Sequence, residues 1–286
     1  MCGTCGCSDP NSAVSMIDPE TGEASLLRSD HDHHHHDHTH HHHHHVHNAH
    51  GLSHHHDHDH SHEHSGRIIS VEQAILMEND RLAQRNRGWF EGRGVLALNL
   101  VSSPGAGKTT LLEKTIEALS PTVELTVIEG DQMTTNDADR IRAAGASALQ
   151  INTGAGCHLE ADMIAAATKK LNPAPGSIVM IENVGNLVCP AMFDLGEHMK
   201  IAIVSTTEGD DKPVKYPYMF SASEVVIVNK IDLAPYVDFD EERISANIRQ
   251  VNPQARIFML SARTGEGMAE WIDFLKELKR DMSVAG

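Results

Sequence analysis

No stretch of this chain approaches the ~18 consecutive apolar residues that a membrane-spanning helix needs. Nor does it open with the basic and then apolar layout of a secretory leader, which predicts a cytosolic protein. Basic residues are scarce. The 23 Lys and Arg stand against 40 Asp and Glu, a formal net charge of −17 with histidine neutral. A nucleic-acid binder carries a basic stripe, and this balance argues against one. Only five cysteines are present. In a cytosolic chain they read as metal or redox ligands before they read as disulfides. Apolar runs are nearly missing from residues 1–66, so that stretch cannot bury enough surface to offset its ordering entropy. It is expected to be a largely disordered extension without metal, followed by a domain over 67–286. The remaining length, roughly 220 residues, suits a single α/β domain.

What the extension does contain is ligand chemistry. Cys2, Cys5 and Cys7 form Cys-x-x-Cys-Gly-Cys, in which the short loop lets two thiolates meet one ion and Gly6 permits the return that brings in the third. With the terminal amine as a nitrogen donor, the set suits Ni²⁺ in a square plane or Zn²⁺ in a tetrahedron. Residues 8–30 read as a polar linker. Residues 31–64 then hold 21 of the 23 histidines, interspersed with acidic residues such as Asp32, Asp37, Asp57 and Asp59 that favour divalent cations. Many imidazoles of low individual affinity imply storage or local concentration of metal. The alternative is a solubilising low-complexity tail.

Past the tract, Ser70 with Gln73 three residues later predicts a capped helix. It carries Val71, Ala74, Ile75, Met77, Leu82 and Trp89 and ends between Gly88 and Gly94. From Val95 onward, apolar segments alternate with helical patterns: 95–101, 123–128, 148–151, 178–181, 201–204, 225–228 and 257–260. Near-continuous apolar strands separated by helices imply a mostly parallel sheet flanked by helices on both faces. A last helix is expected over Gly267 to Lys279. Ligands of such sheets bind beyond the carboxyl ends of the strands, where the chain places its motifs.

Ser102-Ser103-Pro104-Gly105-Ala106-Gly107-Lys108-Thr109-Thr110 leaves a strand and opens a helix, the context of a phosphate-binding loop. It makes the fold a P-loop NTPase. Backbone N–H groups and the helix N-terminus would cradle phosphates. Lys108 would reach the β and γ groups, and Thr109 would ligate Mg²⁺. Ser102 stands where the usual pattern has its first glycine, which requires a negative φ there. Glu182, at the end of the 178–181 segment, and Asp131 are candidates for Mg²⁺ or for positioning water. Gly185 could offer its N–H to a γ-phosphate. Asn229-Lys230-Ile231-Asp232 ends a later strand. Asp232 would accept from guanine N1–H and the exocyclic amine, whereas adenine would leave the carboxylate unpaired. Lys230 would lay its stem on the base, Asn229 would hold neighbouring loops, and Ser261-Ala262 would contact the guanine oxygen. The nucleotide is therefore expected to be GTP. A second ligand set, Cys157, His158 and Cys189, falls at the same sheet edge, with Cys157 expected to open a helix. A buried structural cysteine is the alternative.

Taken together these motifs resemble the HypB family of hydrogenase nickel-incorporation GTPases. The resemblance rests on Cys-x-x-Cys-Gly-Cys, the histidine-rich insert, Ser-Pro-Gly-Ala-Gly-Lys-Thr-Thr, Glu-Asn-Val-Gly-Asn with Cys-Pro shortly after, Gly-Asp-Asp-Lys-Pro (209–213) and Asn-Lys-Ile-Asp. It implies a GTP-dependent homodimer that delivers nickel to the large subunit of [NiFe]-hydrogenase, working with a zinc-containing HypA-type accessory protein. A GTPase serving urease or another metalloenzyme, and a metal-storage protein, are the competing readings. No arginine finger is evident, so slow turnover is expected.

Overall fold

The computed structural model describes residues 14–17, 24–27, 70–131, 136–154 and 156–285. Seven parallel strands form the centre: β3 (Leu96–Ser102), β4 (Leu125–Asp131), β5 (Ser147–Asn152), β6 (Ile178–Glu182), β7 (Met199–Ser205), β8 (Val225–Asn229) and β9 (Arg256–Met259). They lie in the order β5-β4-β6-β3-β7-β8-β9. Each is the predicted apolar segment shifted by no more than a few residues at its ends. β-Branched and leucine side chains point alternately to the two faces, and both faces are covered.

One face carries Leu96, Leu98 and Leu100 under α2 (Lys108–Leu119) and α9 (Met268–Ala285), with Ile116, Trp271 and Leu275 fully enclosed. The expected last helix thus starts one residue later and runs six residues further. α3 (Asn136–Ala143) adds Ile141 to the same layer. On the opposite face Phe90 of α1 (Val71–Gly92) and Ile164 of α4 (Ala161–Leu171) cover Ala97, Val179 and Ile181. Beyond them α7 (Pro217–Ser221) and α8 (Glu241–Val251) cover Val101, Ala202 and Val226. Two further short helices, α5 (Cys189–Met192) and α6 (Lys212–Lys215), sit in loops at the carboxyl edge of the strands.

α1 starts as the sequence predicts. Ser70 Oγ accepts from Gln73 N while Gln73 Oε1 accepts from Ser70 N, both at 3.2 Å. Of the apolar residues that mark it in the sequence, Ile75 and Met77 are exposed, while Ala83 and Phe90 are buried. Asparagines dock it. Asn86 Nδ2 donates to Ala161 O and Leu195 O at 2.7 and 3.0 Å, and Asn79 Nδ2 donates to Asp194 O at 2.7 Å. A helix that docks through amides hides its contact face from a hydropathy reading.

The stretch read as a polar linker also contributes structure. β1 (Ser15–Ile17) and β2 (Ala24–Leu26) form a hairpin, and β1 pairs antiparallel with β5, Ser15 opposite Asn152. Met16 packs into the core beside Leu149 and Ile151, and the hairpin covers a sheet edge that would otherwise expose backbone donors and acceptors. Cys2, Cys5, Cys7 and the histidine tract lie outside the described residues.

Candidate nucleotide and metal site

A cavity of about 660 Å³ opens at the carboxyl ends of β3, β4 and β6, lined by Gly105, Lys108, Thr109, Glu129, Arg140, Glu182, Gly185 and Lys230 among others. Its floor is the loop between β3 and α2. Gly105 and Gly107 take φ of 76° and 94°, a region closed to most side chains. A Cβ on Gly107 would stand 2.6 Å from Asn229 Nδ2, so close approach as well as backbone sign requires glycine. Ser102 ends β3, and it is not among the residues of positive φ. Its hydroxyl accepts from Lys108 Nζ at 2.8 Å, which holds the ammonium at the cavity floor. Ala106 and Thr110 complete the lining.

At the cavity wall Thr109 Oγ1 donates to Glu182 Oε1 at 3.1 Å. Glu129 of β4 lies directly across from Glu182 in the parallel register, and both are buried, at 2% and 6% exposure. Two adjoining carboxylates and a hydroxyl make a hard oxygen donor set, the kind that Mg²⁺ takes. Glu129 escaped the sequence reading because it sits inside an apolar strand. A charged residue in Val-Ile-Glu-Gly-Asp at a strand end was the available signal. Asp131 is the last residue of β4, and its side chain is outside the described set. Arg140, on α3, was also missed. It lines the cavity while its guanidinium forms two bonds to Glu113 at 2.8 and 2.7 Å. Lys212 is a third omission, its Nζ reaching Ser103 Oγ at 3.4 Å from the Gly-Asp-Asp-Lys-Pro segment.

The residues expected to read a base lie together. Asn229 ties two loops together, donating from Nδ2 to Ala106 O at 2.9 Å and accepting at Oδ1 from Ala262 N at 3.1 Å. Lys230 adopts a left-handed backbone, φ 62°, and its Nζ donates to Gly105 O at 2.6 Å. Ser261 Oγ donates to Asp232 Oδ1 at 2.6 Å, fixing the carboxylate that a guanine edge would meet. These contacts gather Asp232, Ser261 and Ala262 around Asn229 and Lys230, which are bonded to the phosphate loop, while of the five only Lys230 lines the cavity itself.

Beside this lies the sulfur and imidazole set. Cys157 Sγ is 2.9 Å from Cys189 Sγ and 3.5 Å from His158 Nδ1, and one ligand atom from each residue lies within 4.8 Å of the others. Both cysteines are free thiols. Cys157 does not open a helix as expected. It lies in the loop before α4, whose N-cap is Glu160, because Gly154 and Gly156 bend the chain out of β5 first. Cys189 is the first residue of α5 and is 1% exposed. His158 stacks on Phe193 at 3.9 Å between ring centroids, and its Nε2 faces Glu160 at 3.5 Å. One loop serves both sites. Gly185 lines the cavity and packs against Pro104, where a Cβ would meet Pro104 atoms at 3.1–3.2 Å. One residue on, Asn186 Nδ2 donates to Cys157 O at 3.3 Å, and three residues later comes Cys189.

Residues 96–259 match the family model described as CobW/HypB/UreG, nucleotide-binding domain. The chain is 55% identical over 210 residues to the hydrogenase maturation factor HypB of Escherichia coli K12, covering 73% of this chain and 72% of that protein. It belongs to the HypB family. The crystal structure of HypB from Archaeoglobus fulgidus aligns with a TM-score of 0.67 at 41% identity, over 71% of this chain and 99% of the other. The Helicobacter pylori HypB structure in complex with nickel gives the same TM-score at 39% identity, over 71% and 96%. The parallel sheet, the phosphate loop and the flanking helices are those of the HypB nucleotide-binding domain. Among the described residues no helix is long and apolar enough to cross a membrane.

Proposed function

We propose that this chain is a GTP-hydrolysing nickel metallochaperone that delivers Ni(II) to the large subunit of [NiFe]-hydrogenase during maturation. The observation that carries the reading is the shared loop, in which Glu182 and Gly185 line the cavity while Asn186 bonds to the Cys157 carbonyl and Cys189 belongs to the sulfur and imidazole set. Family membership and the nickel bound by the Helicobacter pylori relative support nickel as the cargo.

In this reading the amides of Gly105 to Lys108 and the Lys108 ammonium bind the phosphates, and Thr110 stands behind them in the first turn of α2. Asp232 selects guanine, with Ser261 and Ala262 beside it, and Asn229 and Lys230 brace the pocket. Thr109, Glu182 and Glu129 would hold Mg²⁺, which when bound neutralises charge on the phosphate oxygens. Asp131 or Glu182 positions the attacking water. A γ-phosphate draws in Gly185 and, through the same loop, sets the spacing of Cys157, His158 and Cys189. Three ligands leave one position for water or for a second protomer, which gives the GTP-dependent homodimer its role. Hydrolysis relaxes the loop and releases nickel to a HypA-type accessory protein or to the hydrogenase. Residues 1–66, apart from the β1–β2 hairpin that joins the sheet, serve as a metal-binding extension through Cys2, Cys5, Cys7 and the histidines, and 67–286 with that hairpin as the cytoplasmic GTPase domain. The thiolate-rich sites also accept Zn²⁺.

Turnover of GTP by the full chain with Mg²⁺ tests the enzyme directly. Rates on the order of 10⁻⁴ to 10⁻² s⁻¹ are expected. No hydrolysis, with nickel still bound, would leave a storage protein as the better account.

A further inference from the structure

The sheet interior buries an ion pair that neither nucleotide binding nor the thiolate set explains. Lys200 of β7 and Glu197 just before it are each 7% exposed. Replacing such a pair by apolar side chains is often neutral or stabilising, so stability is a poor reason to keep it. Its contacts point to positioning.

Lys200 Nζ donates to Pro190 O at 2.8 Å and to Phe193 O at 3.3 Å, which are carbonyls of α5 and the residue that follows it. The ammonium therefore anchors the one-turn helix that begins with Cys189 and the ring on which His158 stacks. Lys200 Nζ also lies 3.7 Å from Glu197 Oε1. The same oxygen accepts from Asn99 Nδ2 at 2.9 Å, and Glu197 Oε2 accepts from Leu195 N at 2.7 Å. Asn99 belongs to β3, directly across from Lys200 in register. Asn99 Oδ1 accepts from Asn183 Nδ2 at 3.3 Å. Asn183 follows Glu182 and lines the cavity, and its Oδ1 accepts from Leu159 N, next to His158, at 3.2 Å.

We infer that Asn183, Asn99, Glu197 and Lys200 form a buried polar relay that positions both halves of the Cys157/His158/Cys189 site relative to the phosphate-facing end of β6. At one end the relay holds the His158 loop through Leu159. At the other it holds the Cys189 helix through the carbonyls of Pro190 and Phe193. Asn183 and Asn99 are 1% and 0% exposed, so no water competes for these bonds. The relay is a second tie between the two sites, running beneath the Gly185 loop and independent of Asn186. Its role in nickel coordination rests on the proposed function, and the test separates the two.

The test uses the full chain and nickel(II) at buffered free concentrations. Protection of the Cys157 and Cys189 thiols from alkylation, resolved by peptide mass spectrometry, reports this site despite the ligands near the N-terminus. Lys200→Met keeps the stem's volume and removes the ammonium, and Glu197, whose carboxyl burial already holds above the usual range, can answer by taking up a proton. Asn99→Val cuts the relay one step earlier with a residue suited to a strand, and it stands in should the first variant fail to fold. Leu119→Ala, in the opposite face of the core, is the destabilised control.

Both relay variants should raise the nickel midpoint at Cys157 and Cys189 at least tenfold while GDP affinity stays within twofold. The control should lower Tm and leave the midpoint alone. Midpoints equal to the parent's in both relay variants, or an equal rise in the control, would overturn the inference. This comparison is made with GDP throughout. A failure of GTP to change the parent's midpoint would defeat the nucleotide-coupling proposal and leave the positioning result readable.

Discussion

In the proposed function Asp232 selects the base through one carboxylate, held by Ser261, so a single atom change should redirect the choice of nucleotide. Asp232→Asn replaces one of its two acceptors with a donor, which would stand against the exocyclic amine of guanine but match the C2 carbonyl of xanthine. GDP affinity should fall roughly 10- to 100-fold, as expected for a lost charged partner, and XDP affinity should rise. Competition titration with both nucleotides would read the exchange, and equal losses for the two would mean Asp232 does not face the base. Arg140 is a second residue-scale case. It lines the cavity while paired to Glu113. Arg140→Ala should lower kcat about tenfold or more with KM little changed, in keeping with a cation that acts in the transition state. A KM effect alone would assign it to ground-state binding. His198 supplies a pH signature. Burial holds its imidazole below the ordinary 6.5, and its Nδ1 accepts from Ala97 N at 3.3 Å. The unfolded chain takes up a proton below that value while the folded chain resists. Stability present above pH 6.5 is therefore lost as the pH falls through that range. In urea unfolding at about pH 7 and about pH 5.5, His198→Asn should flatten this loss relative to the parent.

At the scale of elements, the parallel strands were legible because each is a short apolar run with helical periodicity between, and the sheet buries both faces. The phosphate loop and the Asn-Lys-Ile-Asp segment were legible because their chemistry dictates residue types at fixed spacing. Three things were not. α1 docks through Asn79 and Asn86, which no hydropathy pattern marks. Glu129 is a charged residue inside a strand, and only the register with Glu182 gives it company. The β1–β2 hairpin contains just three residues per strand, and it forms against β5 rather than from its own propensity. Such an element should detach without unfolding the domain. Met16→Asp is expected to abolish amide protection over residues 14–17 and 24–27 in hydrogen exchange while Tm moves by only a few degrees. A large fall in Tm would instead make the hairpin part of the cooperative core.

Across the whole molecule, direction matters more than any one bond. Because β1 runs antiparallel to β5, with Ser15 opposite Asn152, Ser15 lies at the carboxyl edge of the parallel strands, the edge that carries the cavity and the Cys157/His158/Cys189 set. The cavity, the Cys157/His158/Cys189 set and the start of the hairpin therefore share one rim of the sheet. In the proposed function this rim couples phosphate to nickel. A tenfold change in metal affinity needs only ~1.4 kcal/mol of differential interaction, and linkage then obliges nickel to shift nucleotide affinity by the same factor. The most direct measurement is the free-nickel midpoint for protection of Cys157 and Cys189 in the full chain, taken once with GDP and once with a non-hydrolysable GTP analogue. The account predicts midpoints at least tenfold apart, with a matching nickel-induced shift in nucleotide affinity. Identical midpoints in the two nucleotide states would contradict it.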